Sequence, residues 1–405
     1  MTRLDRPKPP TSRDLVHAAL SDPGLALAVR ALTPRALGAV VRHLGLEDAG
    51  EIVALASAEQ LVHLLDEDVW KSVGTGADET LDADRFATWL EVLLEAGDEA
   101  LADKLVDLPE DLLTHALALQ VLVLDMDALG REIAELDESD ADEVEKALDS
   151  GLYQELEGYR IVSKQHDGWD AVIAVLLALD KNHHDFLVRL LDRLVAASET
   201  FVEEHGGLVE ALSEAERVEE DAAADREERR AREGYVSPAS ARAFLALAKT
   251  REAQAWLEPG PPDAVTRAYF RELAPTPQAP LEATDLGALG DLVRRAEADE
   301  RGERRRPKLG RTAGPRTLLA AMAELAERAP DVHARRTEEL AYLVNVVVTA
   351  GWEGRPVRPW EATEIVMGVV ERALARATKE RKATLRELSM DRLFLAGVAM
   401  APAPR

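Results

Sequence analysis

The chain has 405 residues, no cysteine, and 76 acidic against 49 basic side chains, which gives a formal net charge of -27 at pH 7. The lack of cysteine excludes disulfides, cysteine-ligated zinc, iron–sulfur clusters and thiol nucleophiles. The acidic balance argues against a general nucleic-acid binder, because such a chain repels phosphate. Apolar residues make up 46% and aromatic residues 4%, a composition typical of Ala/Leu-rich helical proteins.

The net charge is concentrated in one stretch of the chain. Residues 47–157 hold 32 acidic and 5 basic side chains, so these 111 residues carry the whole net charge. Leucine and alanine at helical spacing run through the same stretch. This combination predicts a folded acidic surface rather than a disordered acidic tail.

The N-terminal part of the chain shows strong signals for short helices. Residues 1–13 are polar and proline-rich, which predicts a disordered arm without a secretory signal. Thr33 is then a helix N-cap followed by Pro34, and Ser57 forms a capping box with Gln60. Because such helices restart about every 20–25 residues, residues 14–150 are predicted to be an acidic helical repeat, a HEAT- or armadillo-like superhelix.

The rest of the chain also reads as mainly helical. We predict a middle helical region at 151–258, a Pro/Arg-rich linker with short helices at 259–316, and a C-terminal helical unit at 317–400. Residues 159–162 are compatible with one short strand, so the predicted fold class is all-α with at most one short β hairpin. Apolar runs are too short for a membrane span, and a cysteine-free chain fits a cytoplasmic protein.

A histidine-rich string gives the chain its most enzyme-like pattern. His183, His184 and Asp185 are consecutive, and His166 lies upstream. Histidine and carboxylate clusters can bind a divalent metal, so these four residues are candidate ligands of a metal-dependent hydrolase. On one helix, however, neighbouring residues point about 100° apart and cannot both chelate one ion. The alternative is a junction between two helices at residues 180–182, with polar or half-buried histidines.

Acidic side chains of the predicted repeat form the main candidate interaction surface. The candidates are Asp66, Glu67, Asp68, Asp82, Asp84, Glu91 and Glu95. Some of these acids, and the pair Asp125 and Asp127, resemble fragments of calcium loops, but none shows the full 12-residue pattern. No cofactor is therefore predicted, apart from weak binding of Mg²⁺ or Ca²⁺ to the acidic surface.

A basic segment interrupts this acidic chain. Residues 300–316 hold seven basic and two acidic side chains together with two prolines and three glycines, which predicts an exposed loop or linker. Its central basic residues are Arg304, Arg305, Arg306, Lys308 and Arg311. No aromatic residues are interleaved, which disfavours nucleic acid as the partner. The alternative partner is the acidic module of the same chain or of another subunit.

Four strings of the sequence resemble an uncharacterised bacterial family, a domain of unknown function common in deltaproteobacteria. They are Leu44 to Leu61, Leu64 to Trp70, Arg229 to Ala248 and Glu339 to Asn345. This family implies no known activity. The N-terminal repeat also resembles the superhelical cytosolic domain of MgtE-type magnesium transporters and the middle domain of the flagellar motor-switch protein FliG. That resemblance implies stacked helices, and in the transporter an acidic face that senses Mg²⁺.

These observations predict a non-enzymatic cytoplasmic scaffold or regulatory protein that binds a protein partner, expected to be basic, through the acidic repeat surface. The alternatives are a domain that responds to Mg²⁺ or Ca²⁺, a metal-dependent hydrolase around the histidines, and a DNA mimic. The sequence does not indicate an oligomeric state.

Overall fold

The computed structural model describes residues 11–135, 152–165, 168–203, 214–273, 286–303, 317–381 and 384–400. These described residues form 20 α-helices and five β-strands. The all-α prediction is confirmed as a mostly helical fold, but its limit of one hairpin is exceeded, since the strands form a two-stranded and a three-stranded sheet.

The elements up to the middle of the chain are mostly short. The helices are α1 Ser12–Leu20, α2 Leu25–Ala31, α3 Pro34–Leu44, α4 Gly50–Val53, α5 Ala58–Asp68, α6 Ala83–Leu94, α7 Asp98–Val106, α8 Glu110–Ala118 and α9 Met126–Glu135. The strands are β1 Trp70–Ser72, β2 Glu79–Leu81, β3 Val121–Asp125, β4 Tyr153–Leu156 and β5 Tyr159–Ser163.

The remaining elements are all helical, and several of these helices are longer. They are α10 Trp169–Asn182, α11 His184–Glu203, α12 Glu214–Arg232, α13 Pro238–Leu247, α14 Ala253–Trp256, α15 Ala264–Glu272, α16 Gly287–Glu303, α17 Thr317–Arg328, α18 Pro330–Ala350, α19 Pro359–Arg381 and α20 Met390–Ala399.

The chain divides into two compact units, each assembled from separate stretches. The first contains residues 1–71, 81–225 and 277–303, and the second contains residues 72–80, 226–276 and 304–405. The consecutive segments that composition suggests, with boundaries at 150, 258 and 316, stay a prediction. So does the likeness of the N-terminal helices to known superhelices.

Local capping signals set several helix starts as the sequence predicts. The Thr33 hydroxyl accepts the N–H of Ala36, and Ser57 and Gln60 exchange the two bonds of a capping box. A second capping box begins α1 at Ser12, because Thr11 and Asp14 cap each other. The helix therefore starts inside the predicted arm 1–13, of which residues 1–10 lie outside the described part of the chain.

The three-stranded sheet of the first unit places the turn between β4 and β5 close to the C-terminal end of α10. Its strand order is β3–β5–β4, with both pairs antiparallel. The strand expected at residues 159–162 is thereby confirmed as β5. Glu157 and Gly158 join β4 to β5 with φ angles of 52° and 85°, the left-handed pair that a tight two-residue hairpin turn requires.

Each unit has its own hydrophobic core. The first is built mainly from leucine and valine around Phe86 and Trp89, and Ile161 of β5 belongs to it. The second centres on Phe244, whose ring meets Tyr342 edge-on at 5.5 Å between ring centroids. Aliphatic side chains thus dominate the first core, whereas aromatic rings in mutual contact occupy the centre of the second.

Candidate functional site

The predicted acidic interaction surface is only partly present. Asp66 is 3% exposed, and its neighbours Leu64 and Leu65 on the same turn of α5 are buried as well. The prediction that Asp66 faces a partner is therefore wrong. Charge alone suggested an exposed residue here, but the packing of α5 on several neighbours buries it.

Three further candidates, Glu67, Asp68 and Asp82, are exposed or half-buried but already have basic partners. Glu67 lies 2.6 Å from the Arg42 guanidinium. Asp68 accepts hydrogen bonds from Arg85 and from the indole N–H of Trp89, each at 2.7 Å. These contacts neutralise the two carboxylates locally and reduce their attraction for a second basic group.

Asp82 serves the fold directly. It caps α6 by accepting the N–H of Arg85, and its carboxylate lies 2.9 Å from the Lys71 ammonium. Partial burial opposes ionisation of Asp82, but the hydrogen bonds from Lys71 and the helix N–H groups outweigh burial and lower its pKa. Asp82 is therefore a structural residue of the helix start rather than a free contact.

The last three candidates, Asp84, Glu91 and Glu95, are exposed. Glu91 lies in the last turn of α6 and Glu95 is the C-cap residue that follows this helix, and the Glu95 carboxylate reaches to 3.9 Å from the position of a Cβ at Gly50. The acids around Gly50 thus lie beside those of α6.

We define the acidic surface as seven exposed carboxylates on these neighbouring elements and on the start of α7. They are Glu47, Asp48, Glu51, Glu91, Glu95, Asp98 and Glu99. In the part of the chain that the structure describes, none of these seven takes part in an ion pair. Residues 43–70 and 86–103 contain no lysine or arginine, which is the sequence signal that locates five of the seven beyond the predicted set.

The histidine string lies at a junction between two helices, as the alternative predicts, but the junction is at His183 and not at residues 180–182, which belong to α10. Helix α10 ends at Asn182 and α11 begins at His184. The His183 ring forms a hydrogen bond of 2.7 Å with the Asp103 carboxylate, whereas the His184 ring forms one of 2.9 Å with the Asp180 carboxylate. Asp185 is exposed in the first turn of α11, and His166 lies outside the described residues. The predicted ligands that are described therefore do not converge, because the two histidines engage different partners.

A different set of side chains does converge around His184. One carboxylate oxygen of Glu157, one of Asp180 and one ring nitrogen of His184 all lie within 4.8 Å of one another. The hydrogen bond that the His184 ring donates to the Asp180 carboxylate raises the pKa of His184, and the charges of Glu157 and Asp185 act in the same direction. We call Glu157, Asp180 and His184 the carboxylate–histidine trio.

The sequence allows only two members of this trio, Asp180 and His184, to be predicted as neighbours. Asp180 and His184 have the i, i+4 spacing of neighbours on one helical face, which the sequence shows directly. Glu157 reaches them only because the β4–β5 turn places it there. The His184 side also opens to solvent: an open depression of about 420 Å³ is lined by Asn182, His183, His184, Asp185, Phe186 and Arg189.

Other sequence candidates lie elsewhere. Arg304, Arg305, Arg306, Lys308 and Arg311 are outside the described residues, so their exposed-loop assignment stays a prediction. Asp125, part of a calcium-loop fragment, instead accepts the N–H groups of Asp127 and Ala128 at the start of α9. Across the described residues, no helix has the length and apolar character needed to cross a bilayer.

Comparison with known proteins gives one informative result. A family model for a family of unknown function matches residues 10–401, which is nearly the whole chain. No curated protein and no solved structure matches the chain. Function must therefore be argued from the side chains of this chain.

Proposed function

The chain belongs to the family of unknown function DUF6178, and we propose that it is a non-enzymatic scaffold or regulatory protein that binds a basic segment of another protein. The binding region is the acidic surface. The observation that carries this proposal is the set of seven exposed carboxylates without ion-pair partners among the described residues. We place the protein in the cytoplasm, which fits a chain without cysteine.

Electrostatics supports a basic partner for this surface. Nearby acids such as Glu67 and Asp68 have arginines within 2.7 Å, whereas the acidic surface has no such compensation in the described structure. Like charges held on neighbouring helices repel one another and create a negative potential that attracts cationic groups. Binding should weaken as salt rises, because exposed charges are screened over about 8 Å at physiological ionic strength.

The distribution of the carboxylates favours an extended partner over a single ion. The seven residues are spread over the 47–51 region, α6 and the start of α7. In the described part of the chain, the carboxylate–histidine trio is the group of three or more ligand side chains that converges within 4.8 Å, and the acidic surface contributes none of its members. A partner segment with several lysines or arginines can contact such dispersed charges together.

The test is affinity capture from an extract of cells that produce the protein, with three versions of the full chain as bait. These are the wild type, the double variant Glu91→Lys with Glu95→Lys, and a control with Glu327→Lys and Glu364→Lys. Glu327 and Glu364 are exposed residues of the second unit, and their reversal changes the net charge by the same amount. Circular dichroism melting confirms that all three baits are folded.

We expect a basic protein that the wild type and the control retain at low salt and release as salt rises. Retention by the double variant should fall about tenfold, since two charge reversals on a surface remove roughly 1–2 kcal/mol of attraction. Equal retention by all three baits, or no partner that elutes with salt, contradicts the proposal.

A further inference from the structure

We propose that Glu157, Asp180 and His184 form a binding site for a divalent transition-metal ion of the Mn²⁺ or Zn²⁺ type. This inference is independent of the proposed function, because the trio shares no residue with the acidic surface. It also differs from the metal set expected from the sequence, since only His184 belongs to both.

The geometry brings three ligand atoms from three elements to one point. Glu157 comes from the β4–β5 turn, Asp180 from the last turn of α10, and His184 from the first residue of α11. Ligand atoms around one such ion stand about 3–3.5 Å apart, given metal–ligand bonds of about 2.0–2.2 Å. The nearest atoms of His184 and Asp180 are hydrogen-bonded at 2.9 Å, slightly closer than this spacing, so a small separation brings them to it. Glu157 is exposed, so a change of its rotamer can complete the set.

The negative charge of the trio favours the state in which a cation is bound over the state without one. Two carboxylates lie within 4.8 Å of each other, and Asp185 adds a third negative charge to the field at His184. A divalent ion relieves the repulsion between like charges more fully than one imidazolium does.

The backbone conformation of Glu157 is energetically unfavourable for a residue with a side chain, and the position of that side chain gives a reason for it. Its φ of 52° is a left-handed conformation, in which asparagine, aspartate or glycine is usual at the first position of such a turn. Glutamate has no local advantage there, but it has the longer side chain, and its carboxylate reaches Asp180 and His184.

The ligand chemistry points to the class of ion. An imidazole nitrogen suits Zn²⁺ and other transition metals, whereas Mg²⁺ and Ca²⁺ prefer oxygen ligands alone. Three protein ligands on an exposed surface leave the remaining coordination positions to water. The neighbouring depression, which His184 itself lines, keeps those positions accessible.

The test is isothermal titration of the full chain with ZnCl₂, MnCl₂ and MgCl₂ in separate experiments. The variants are His184→Ala, Asp180→Asn and Glu157→Gln. His183→Ala is the matched control, because His183 is the adjacent residue and bonds Asp103 instead. Mn²⁺ binding is also measured by the loss of the free-ion signal in electron paramagnetic resonance, and circular dichroism checks the fold of each variant.

We expect one saturable site for Zn²⁺ or Mn²⁺ in the wild type and in His183→Ala. Each of the three trio variants should lose at least about tenfold in affinity, since even the loss of an outer-shell partner costs about 10–100-fold. The proposal is overturned if no saturable site is found up to millimolar metal. It is also overturned if His184→Ala binds like the wild type, or if His183→Ala loses as much affinity as His184→Ala.

Discussion

Arg336 donates a hydrogen bond to Glu339 at 2.6 Å, and both side chains are only 8% exposed. Arg336 also donates to the carbonyl of Leu385, and Glu339 accepts the N–H of Met390, so this pair fixes the segment before α20 onto α18. Each charge is thus paired and hydrogen-bonded, which is the condition under which a buried ion pair is tolerated.

The first prediction concerns this pair. Replacing Arg336 by leucine leaves the Glu339 carboxylate buried without its cation and should lower the free energy of unfolding by about 3–5 kcal/mol. Arg335→Leu, at the exposed neighbouring position, is the control and should change stability by less than about 0.5 kcal/mol. Urea denaturation followed by circular dichroism measures both. Equal midpoints for the two variants would show that the pair does not hold the helices.

A second prediction follows from the close approach of α19 and α20. A Cβ added at Gly397 would stand 2.5 Å from the Val369 carbonyl oxygen, whereas one added at Gly368 would meet nothing within 4 Å. Gly397→Ala should therefore destabilise by about 1–3 kcal/mol through overpacking.

Gly368→Ala is the matched control for this contact and should stabilise by about 0.5–1 kcal/mol, because alanine is the better helix residue. Thermal melting of the two variants tests the opposite signs. Two shifts of the same sign would contradict the helix contact seen here.

A third prediction concerns pH and the buried carboxyl of Asp391. Asp391 is 1% exposed, and its carboxyl group is buried close to Ser389 and the backbone N–H of Arg392. Burial raises its pKa above the ordinary value of 3.8. The folded chain therefore keeps this proton to higher pH than the unfolded chain does. Its contribution to the free energy of unfolding should fall as pH rises from about 3.8 through the raised pKa.

The measurement is the urea midpoint from pH 4 upward in the wild type, in Asp391→Asn and in Asp331→Asn. Asp391→Asn removes the titrating group and should flatten the loss of stability toward neutral pH. Asp331 is exposed at the start of α18, so its substitution should leave the wild-type pH profile in place. Identical profiles for all three chains would refute the assignment.

The parts of the fold that depend on residues close together in the sequence could be predicted from the sequence. The caps at Thr33 and Ser57 need only side chains within three positions, and both are confirmed. The apolar run 117–124 shows where this reasoning ends. Helix α8 finishes at Ala118 and β3 begins at Val121, and apolar residues without clear periodicity cannot separate a buried helix end from a buried strand.

The candidate sites depend on tertiary contacts and were harder to predict. Acidic character alone does not show that α5 turns Asp66 into the core or that Arg85 approaches Asp68. Likewise, Glu157 and His184 are far apart along the chain and meet only through the β4–β5 turn. Charge density therefore located the acidic region, but the structure was needed to identify which carboxylates remain free of ion pairs.

Carbodiimide crosslinking shows directly whether the acidic surface is the contact site for basic segments. A decalysine peptide is mixed with the full chain at low salt, and the carboxylates joined to lysine are mapped by mass spectrometry. We expect crosslinks in clear excess over the exposed control residues Glu327 and Glu364 at five positions of the acidic surface: Glu47, Glu51, Glu91, Glu95 and Asp98. Crosslinks spread evenly over all exposed carboxylates, or concentrated away from these positions, would contradict it.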